Sequence, residues 1–301
     1  MQNLGSNTEV VAVLIAITNL SARILTINQG HLLPSGPLTP VHHSLQAGAR
    51  AWVKQQTQQP LGYIEQLYTF VDMERSAQAP FIYISYLGLV KEAEDTILEL
   101  NAKWHDWYDY FPWENFKDAD HAPLLKQLKY WADSAPNKTL RQHRLERIAL
   151  CWGLNDYLWL EENTLLRYEL LYEAGLIQES PYFSHQLDTK LIGQPMQNNH
   201  RRILATAISR LRAKIKYRPV IFELLPDEFT LLQLQKSIET LTGIELHKQN
   251  FRRLMQNQHL LEATGKEAFV ARGRPAQLYR FNQKILQEYL LSHSKLPKLT
   301  P

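Results

Sequence analysis

Residues 230–281, TLLQLQKSIETLTGIELHKQNFRRLMQNQHLLEATGKEAFVARGRPAQLYRF, decide the fold of the C-terminal part of the chain. Thr230 and Gln233 have the spacing of a capping box, in which the two side chains satisfy backbone N–H groups at the start of a helix. Apolar residues at helical spacing follow, and Gly243 is typical of a helix end. A short turn then leads to a second predicted helix, which begins at about His247.

The second helix is predicted to have two faces of different chemistry. Phe251, Leu254 and Met255 lie on one of them. The opposite face, at positions i, i+3, i+4 and i+7, carries Gln249, Arg252, Arg253 and Gln256. Arg can fork onto N7 and O6 of guanine and Gln can pair with adenine, so this face has the chemistry to read a major groove. Lys248 and Asn250, near the start of the helix, suit phosphates or flanking bases.

A basic hairpin is predicted directly after the basic helix. Leu260–Glu262 and Gln277–Phe281 are strand-like and flank a loop with the sequence RGRP at 272–275. This order indicates a winged helix-turn-helix, whose wing arginines enter a minor groove or grip the DNA backbone. The alternative is a solvated amphipathic helix, which is the commoner outcome for such a pattern taken alone. The candidates for DNA binding are Thr230, Lys248, Gln249, Asn250, Arg252, Arg253, Gln256, Arg272 and Arg274.

Length and composition bound the class of protein. The chain has 301 residues, 45% of them hydrophobic, which is enough to bury a core and favours two domains over one. A single cysteine, Cys151, excludes a disulfide framework and a clustered-thiol zinc site, and it suits a reducing cytoplasm. The longest apolar run, Val10–Ile17, is far shorter than the roughly 20 residues of a membrane span. We therefore expect a cytoplasmic protein without a signal peptide or membrane anchor.

Charge is distributed unevenly along the chain. The net charge is only +3, yet residues 200–280 hold 15 Lys and Arg against 7 Asp and Glu. The rest of the chain is therefore net acidic. Such asymmetry favours a nucleic-acid face on the basic part, with an ordinary solvated surface as the alternative.

The first ninety residues alternate in the manner of an α/β or α+β domain. A hairpin is predicted at the N-terminus, with strands over Glu9–Ile17 and Arg23–Ile27. A helix over Ser44–Gln56 and strands over Ile64–Val71 and Phe81–Val90 are expected to follow.

The middle of the chain is predicted to be helical. Residues 91–198 form a Trp-rich insertion with six of the seven tryptophans, and Arg141–Gly175 is expected to hold two or three amphipathic helices. Large rings at helical spacing mostly fill interiors, so we favour core packing over a stacking platform. His200–Lys216 is predicted to be one more helix, basic on one side.

Leu33-Pro34-Ser35-Gly36 ahead of a helix resembles the entrance to a Nudix domain. That family's motif runs Gly, five residues, Glu, seven residues, Arg-Glu, an aliphatic, any residue, Glu-Glu, any residue, Gly. Counted from Gly36, its conserved positions after the glycine hold, in order, His42, Arg50, Ala51, Lys54, Gln55 and Thr57. The family uses the glutamates to hold divalent metal for pyrophosphate hydrolysis, because hard cations prefer carboxylate oxygens. Since none is present, we expect no metal site and no hydrolase activity.

The flanks of this box resemble those of Nudix-related transcriptional regulators of NAD metabolism. The N-terminal similarity lies in Tyr63–Phe70 with Asp72 and Arg75, and in Phe81–Val90. Further segments resemble the winged helix of these regulators and the proteobacterial branch of the family: Phe222–Pro226, Phe229–Leu231, Asn250–Arg253, Gly273–Ala276, Arg167–Gly175 and His200–Thr206.

The resemblance implies an α+β protein with an N-terminal Nudix-like α/β/α sandwich, a long helical insertion and a C-terminal winged helix-turn-helix. Residues 1–216 are then the ligand-sensing domain, with the insertion at 91–198, and residues 217–301 are the DNA-binding domain. It also implies a homodimeric repressor of NAD biosynthesis or salvage genes that binds double-stranded operator DNA. An adenine nucleotide (ADP-ribose, NAD or ATP) would be the effector, and no cofactor is expected.

Seven residues are candidates for ligand contact: Arg50, Tyr68, Phe70, Asp72, Arg75, His200 and Arg201. Arg50 can pair with phosphate, although in Nudix folds this arginine usually braces the box helix. Tyr68 and Phe70 can stack on adenine, although alternate strand positions more often fill a core. His42 and His43 resemble a metal pair only superficially, because adjacent residues seldom face one ion.

Two other functions compete with the repressor. The first is a Nudix-type hydrolase of ADP-ribose or a related nucleotide, in which Glu65 or Glu74 replaces a lost metal ligand. The second is a protein-recruiting module in the helical middle, which an exposed tryptophan patch would favour and buried rings would exclude.

Overall fold

The computed structural model describes residues 7–73, 75, 80–91, 98–99, 101–116, 118–183, 187–216, 218–257, 260–268, 275–282 and 284. Its N-terminal domain is built on a six-stranded mixed sheet. The strands are β1 (Thr8–Thr18), β2 (Ser21–Thr26), β3 (Ser35–Pro37), β4 (Tyr63–Asp72), β5 (Phe81–Leu89) and β6 (Lys103–Asp106). Their order is β4-β5-β1-β2-β6, and β3 pairs with β1 outside this path. Only β1 and β5 run parallel among these pairs.

Strand β1 lies in the middle of the sheet and is covered on both faces. Residues 10–16 are all at most 1% exposed. Burial on both faces explains why this strand is a continuous apolar run and not an alternating one. The predicted hairpin with β2 is confirmed, and it turns at Asn19 and Leu20, which both have positive φ.

Helix α1 (Leu45–Thr57) covers one face of the sheet. The Ser44 hydroxyl caps it by accepting from the Ala47 N–H at 3.1 Å. The Gln56 side chain pairs with the backbone of Ser35 in β3, accepting at 2.9 Å and donating at 2.8 Å. A Cβ at Gly36 would lie 2.3 Å from the Trp52 ring, so glycine is required where the ring covers the strand.

The other face of the sheet carries the middle helices. They are α2 (Ala122–Asp133), α3 (Lys138–Trp152), α4 (Thr164–Glu173), α5 (Thr189–Ile192) and α6 (His200–Ile215). Single 3-10 turns occur at Asn28–Gly30, Trp107–Asp109, Pro112–Glu114, Glu161–Asn163 and Val220–Leu224. Val11, Val13 and Ile15 of β1 share a core cluster with buried residues of α6. The predicted α/β/α sandwich is therefore confirmed, as are the helices between Arg141 and Gly175.

The insertion differs from its prediction in one respect, because it is not entirely helical. Residues 103–106 form β6, which pairs antiparallel with β2 and places Trp104 in the interior. The preference for core packing is confirmed for Trp104, Trp107, Trp113 and Trp152, all at most 5% exposed. These four rings are therefore not available as a stacking platform or a docking patch.

The predicted helix is present as α6, but most of its basic residues do not form a free surface. Arg201 and Arg212 are fully buried. Lys214 pairs with Glu65, and Lys216 pairs with the carboxylates of Glu161 and Glu162. Three cations of α6 and Lys216 directly after it are thus engaged inside the molecule or in ion pairs, because carboxylates from other elements pack against this helix.

The C-terminal domain is a winged helix-turn-helix, as predicted. Its elements are β7 (Phe229–Thr230), α7 (Leu231–Thr242), α8 (Lys248–Asn257), β8 (Leu261–Ala268) and β9 (Ala276–Phe281). The three strands form an antiparallel sheet in the order β7-β9-β8. Within the described part of the chain, no helix combines the length and apolarity that crossing a membrane requires.

Candidate nucleic-acid interface and ligand site

The helix-turn-helix begins with the capping box that the sequence predicts. Thr230 Oγ1 accepts from the Gln233 N–H at 3.1 Å, and Gln233 Oε1 accepts from the Thr230 N–H at 2.8 Å. Helix α7 ends at Gly243, which has φ of +73° and donates its N–H to the Glu239 carbonyl at 2.8 Å. The Thr230 residue is largely buried, so its hydroxyl serves the cap, and its contact with DNA stays a prediction.

Helix α8 separates its two faces in the way that the sequence predicts. Phe251 and Met255 are buried against the domain, and Leu254 is half-buried. The exposed face consists of Lys248, Gln249, Asn250, Arg252, Arg253 and Gln256. The helix contains three cations and no carboxylate, so it presents positive charge and amide groups to a polyanion.

The wing is a pair of antiparallel strands held at its base by aromatic rings. Strands β8 and β9 pair from Leu261 and Phe281 to Ala268 and Ala276. Phe281 stacks on Phe222 with ring centroids 4.1 Å apart, which fixes the hairpin to the start of the domain. Arg272 and Arg274, the predicted wing contacts, lie outside the described residues.

In the N-terminal domain, polar side chains meet at one corner of the sheet, which we call the polar corner: Glu9, Ser35, Asp72, Arg75, Tyr83, Asn199 and His200. Arg75 Nη1 donates to Glu9 Oε2 at 2.6 Å and also to the Tyr83 hydroxyl. Glu9 accepts in turn from the Ser35 hydroxyl at 2.5 Å. The Arg75 guanidinium lies 4.0 Å from the centre of the Phe81 ring. Burial raises the pKa of Tyr83 to about 12, so its hydroxyl stays protonated at neutral pH.

Asp72 joins the polar corner to the start of α6. Its Oδ1 accepts from the Arg75 N–H at 3.1 Å, and its Oδ2 accepts from Asn199 Nδ2 at 2.6 Å. The next residue, His200, accepts the Leu33 N–H on Nδ1 at 2.9 Å. Burial, with a smaller contribution from the charge of Arg75, lowers the pKa of His200 to about 3.

His200 is therefore a neutral imidazole with its proton on Nε2. Its Nε2 has no hydrogen-bond partner in the described part of the chain. A buried donor without a partner costs about 1–3 kcal/mol, which makes this atom a candidate for contact with a ligand oxygen.

A row of aromatic rings leads from the surface to the polar corner. Tyr68 stacks on Phe70 with centroids 6.4 Å apart, and Phe70 stacks on Tyr83 at 5.0 Å. Tyr68 is 50% exposed, so its ring is available to a planar ligand. Five of the seven predicted ligand residues thus lie in or beside the corner: Tyr68, Phe70, Asp72, Arg75 and His200.

The other two predicted ligand residues make structural contacts elsewhere. Arg50 donates to the carbonyls of Leu61 at 2.5 Å and Gly62 at 2.8 Å, so it braces the box helix. Arg201 is fully buried, donates from Nε to the Tyr110 carbonyl at 3.1 Å and pairs with Glu179 at 3.1 Å. None of these hydrogen bonds goes to the polar corner.

Comparison with known proteins agrees with this architecture. The family model of the NrtR DNA-binding winged helix domain matches residues 221–281. The C-terminal domain is therefore of the NrtR winged helix type.

Two solved structures of Shewanella oneidensis NrtR have the same fold over nearly their whole length. The structure complexed with a 27mer DNA is 19% identical, with a TM-score of 0.54, and the alignment covers 97% of this chain and 99% of that one. The structure of the protein described without DNA is 18% identical, with a TM-score of 0.56 and the same coverage.

A curated relative is the "ADPR responsive transcriptional repressor NtrR" of Acinetobacter baylyi. It is 40% identical over 91 residues, which are 30% of this chain and 35% of the relative. The aligned segment thus spans about a third of the relative's length.

The sequence analysis does not identify several members of the polar corner. Glu9, Ser35, Tyr83 and Asn199 lie inside apolar strands or just before a helix, where nothing local distinguishes them. Glu9 offered one usable signal, because a carboxylate at the start of a buried strand must be paired. Its partner Arg75 lies 66 positions away, and only the folded sheet brings the two together.

The box helix shows no metal-binding chemistry. Ala51, Lys54 and Gln55 are exposed on α1, and the His42 ring packs edge-on against Trp52. Across the described residues, no group of three or more His, Cys, Asp or Glu side chains is arranged to hold a metal ion. Glu65 is engaged by Lys214 and Tyr63, and Glu74 lies outside the described residues.

Proposed function

We propose that this protein is a transcriptional repressor that binds operator DNA through α8 and the wing and responds to ADP-ribose bound at the polar corner. The observation that carries the first part is the exposed face of α8, whose only charged groups are cations, on a domain of the NrtR DNA-binding type. Arg252 and Arg253 contact base edges in the major groove, and Lys248 contacts phosphate. As further parts of this proposal, the two functional domains are 1–216 and 217–301, and the protein acts in the cytoplasm.

Three nucleotides fit the expectation from the sequence, and we favour ADP-ribose. The Acinetobacter baylyi relative is named as responsive to ADPR. The polar corner has matching chemistry, because Arg75 offers a guanidinium to a pyrophosphate and the exposed ring of Tyr68 offers a stacking surface to adenine. The Nε2–H of His200 donates to a ligand oxygen and so removes the cost of an unpartnered buried donor.

The proposal includes a homodimer and the absence of hydrolase activity. A dimer presents two copies of α8 to half-sites separated by whole turns of DNA, and ADP-ribose then acts by binding one dimer geometry more tightly than the other. The box positions that hold metal in Nudix hydrolases are here His42, Ala51, Lys54 and Gln55. The genes controlled are those of NAD biosynthesis or salvage.

Fluorescence anisotropy tests the proposal directly. Labelled DNA from upstream of NAD-biosynthesis genes of the source organism is titrated with the protein at several salt concentrations, with and without ADP-ribose, NAD and ATP. We expect tight, salt-dependent binding that ADP-ribose shifts by about tenfold or more, equivalent to about 1.4 kcal/mol of coupling. Scrambled DNA is the control.

Two results would contradict the proposal. Binding that is equally weak on operator and scrambled DNA would show that the protein is not a repressor of these genes. Magnesium-dependent release of AMP from ADP-ribose would make the protein a hydrolase, so AMP release is assayed on the same preparation.

A further inference from the structure

The end of α7 docks directly on the N-terminal domain. The Thr240 carbonyl accepts from the Tyr108 hydroxyl at 2.7 Å, and the Leu241 carbonyl accepts from Arg212 Nε at 2.8 Å. Carbonyls in the last turn of a helix have no partner within the helix, so these two donors complete it. A positive guanidinium also suits the negative end of the helix dipole.

The fit at this end is close enough to fix the orientation of α7. A Cβ at Gly243 would lie 2.4 Å from the Glu114 carbonyl oxygen and 3.1 Å from the Tyr108 hydroxyl. The Thr240 hydroxyl also donates to the Leu20 carbonyl, at the tip of the β1–β2 hairpin, at 2.9 Å. Helix α7 is therefore held by the sheet, the insertion and α6 together.

Arg212 is fixed from the other side by a buried ion network. Its Nη1 lies 2.5 Å from Glu114 Oε2, and the same carboxylate binds Arg167 at 2.6 Å and the Thr164 hydroxyl at 3.0 Å. Arg212, Arg167 and Glu114 are each at most 1% exposed. Burial acts to raise the pKa of Glu114, but the two arginines outweigh it and hold that pKa below its usual value. The Glu114 carboxylate is therefore charged. It holds the Arg212 guanidinium, which bonds to α7, in a fixed position.

Helix α6 connects this network to the polar corner. It has 16 residues and is about 24 Å long at 1.5 Å per residue. At its N-terminal end, Asn199 bonds to Asp72 and His200 receives the Leu33 N–H. Arg212 lies in its last turns and bonds to α7. One helix thus touches both the ligand site and the DNA-binding domain.

We propose that Tyr108 and Arg212 are positioning residues that couple the orientation of α7 and α8 to that of α6, so that a ligand at the polar corner changes the affinity for DNA through this helix. The inference rests on the proposed function and specifies its regulation. Coupling of this kind requires that the ligand-bound and DNA-bound states favour different placements of α6.

Tyr108→Phe tests this coupling with little risk to the fold. The substitution removes the hydroxyl that donates to Thr240 but keeps the ring, which packs edge-on against Trp107 with centroids 5.8 Å apart. We expect the ratio of operator Kd values with and without ADP-ribose to move towards one by about threefold or more. The Kd of ADP-ribose, from calorimetry, should change by less than about twofold, because the hydroxyl bonds to α7 and not to the polar corner.

Tyr157→Phe is the matched control, because this tyrosine lies on the surface of the same insertion and is 40% exposed. It should keep the wild-type ratio. A wild-type ratio in Tyr108→Phe would overturn the coupling role while leaving the repressor intact. A ratio of one in the wild-type protein would instead overturn the proposed response to ADP-ribose, and this inference with it.

Hydrogen exchange supplies a readout that requires no DNA. In the wild-type protein, ADP-ribose should change the protection of amides in residues 231–257, and in Tyr108→Phe that change should be lost. A purely structural hydroxyl would lower protection equally with and without the ligand. An unchanged ligand-dependent difference would therefore contradict the inference.

Discussion

Helices α6 and α8 both carry pairs of adjacent arginines, yet they use them in opposite ways. In α8, Arg252 and Arg253 are exposed and face away from Phe251 and Met255. In α6, Arg201 is fully buried beside the exposed Arg202, and Arg212 is buried in the last turn. The two patterns look alike because a sequence shows the positive charge of an arginine but not the carboxylate or carbonyl that receives it.

Removal of a buried arginine is expected to have the largest effect on stability. Arg212→Ala leaves Glu114 with one cation fewer in the interior and the Leu241 carbonyl without its donor. We expect the free energy of unfolding to fall by about 3–5 kcal/mol, as for other broken buried pairs. Urea denaturation followed by tryptophan fluorescence measures it.

Arg210→Ala is the control on the same helix, because Arg210 is exposed. Its effect should stay within about 0.5 kcal/mol. Equal effects of the two substitutions would show that the buried network contributes nothing particular to stability.

The helix-turn-helix and the buried arginines of α6 also differ in how well the sequence predicts them. The helix-turn-helix was predicted almost to the residue, because the capping box and Gly243 act within a few positions of the chain. The burial of Arg212 was not, because its carboxylate partner Glu114 lies 98 positions away. The strand at residues 103–106 was missed for the same reason, since its partner β2 lies far back in the sequence.

The proposed ligand site falls between these extremes. Strand positions such as Tyr68, Phe70 and Asp72 were identified through resemblance, and the structure brings them near Arg75. Arg50 is a candidate because it holds the arginine position of the box, where bracing the helix is the usual role, and Arg201 because it is polar and near a predicted domain edge. The structure gives both of them backbone carbonyls as partners. Charge alone therefore does not separate an arginine that meets a ligand from one that fixes a fold.

A smaller effect, confined to DNA binding, is expected from the exposed arginines. Replacing Arg252 and Arg253 together by Ala should weaken operator binding by about 100-fold or more, because each bidentate contact with guanine contributes about 1–3 kcal/mol. The melting temperature should be unchanged, since both side chains point to solvent. Anisotropy titrations and thermal denaturation are run on the same samples.

Arg141→Ala, which removes one cation from the exposed surface of α3, is the surface control. It should leave the affinity for operator DNA within about twofold, because a cation distant from the groove contributes only a screened charge. If the double substitution left operator binding unchanged, the assignment of α8 as the recognition helix would be wrong.

The smallest effect concerns pH and the N-terminal end of α6. Burial lowers the pKa of His200 to about 3, whereas in the unfolded chain it is about 6.5. The unfolded chain binds the proton first, so this contribution to stability is complete above pH 6.5 and is lost as the pH falls towards 3. Between pH 6.5 and pH 5 the loss is about 2 kcal/mol.

His200→Gln isolates this contribution, because the amide oxygen can still accept the Leu33 N–H while the side chain no longer titrates. Unfolding free energies at pH 7 and pH 5 are compared for the wild type and the variant, so that all other titrating groups cancel. The wild type should lose about 2 kcal/mol more than the variant over this interval. His43→Gln, on the exposed segment before α1, is the surface control. If His200→Gln retained the wild-type pH dependence, the imidazole would take up its proton in the folded protein as readily as in the unfolded chain, and its assignment as a neutral donor in the polar corner would be wrong.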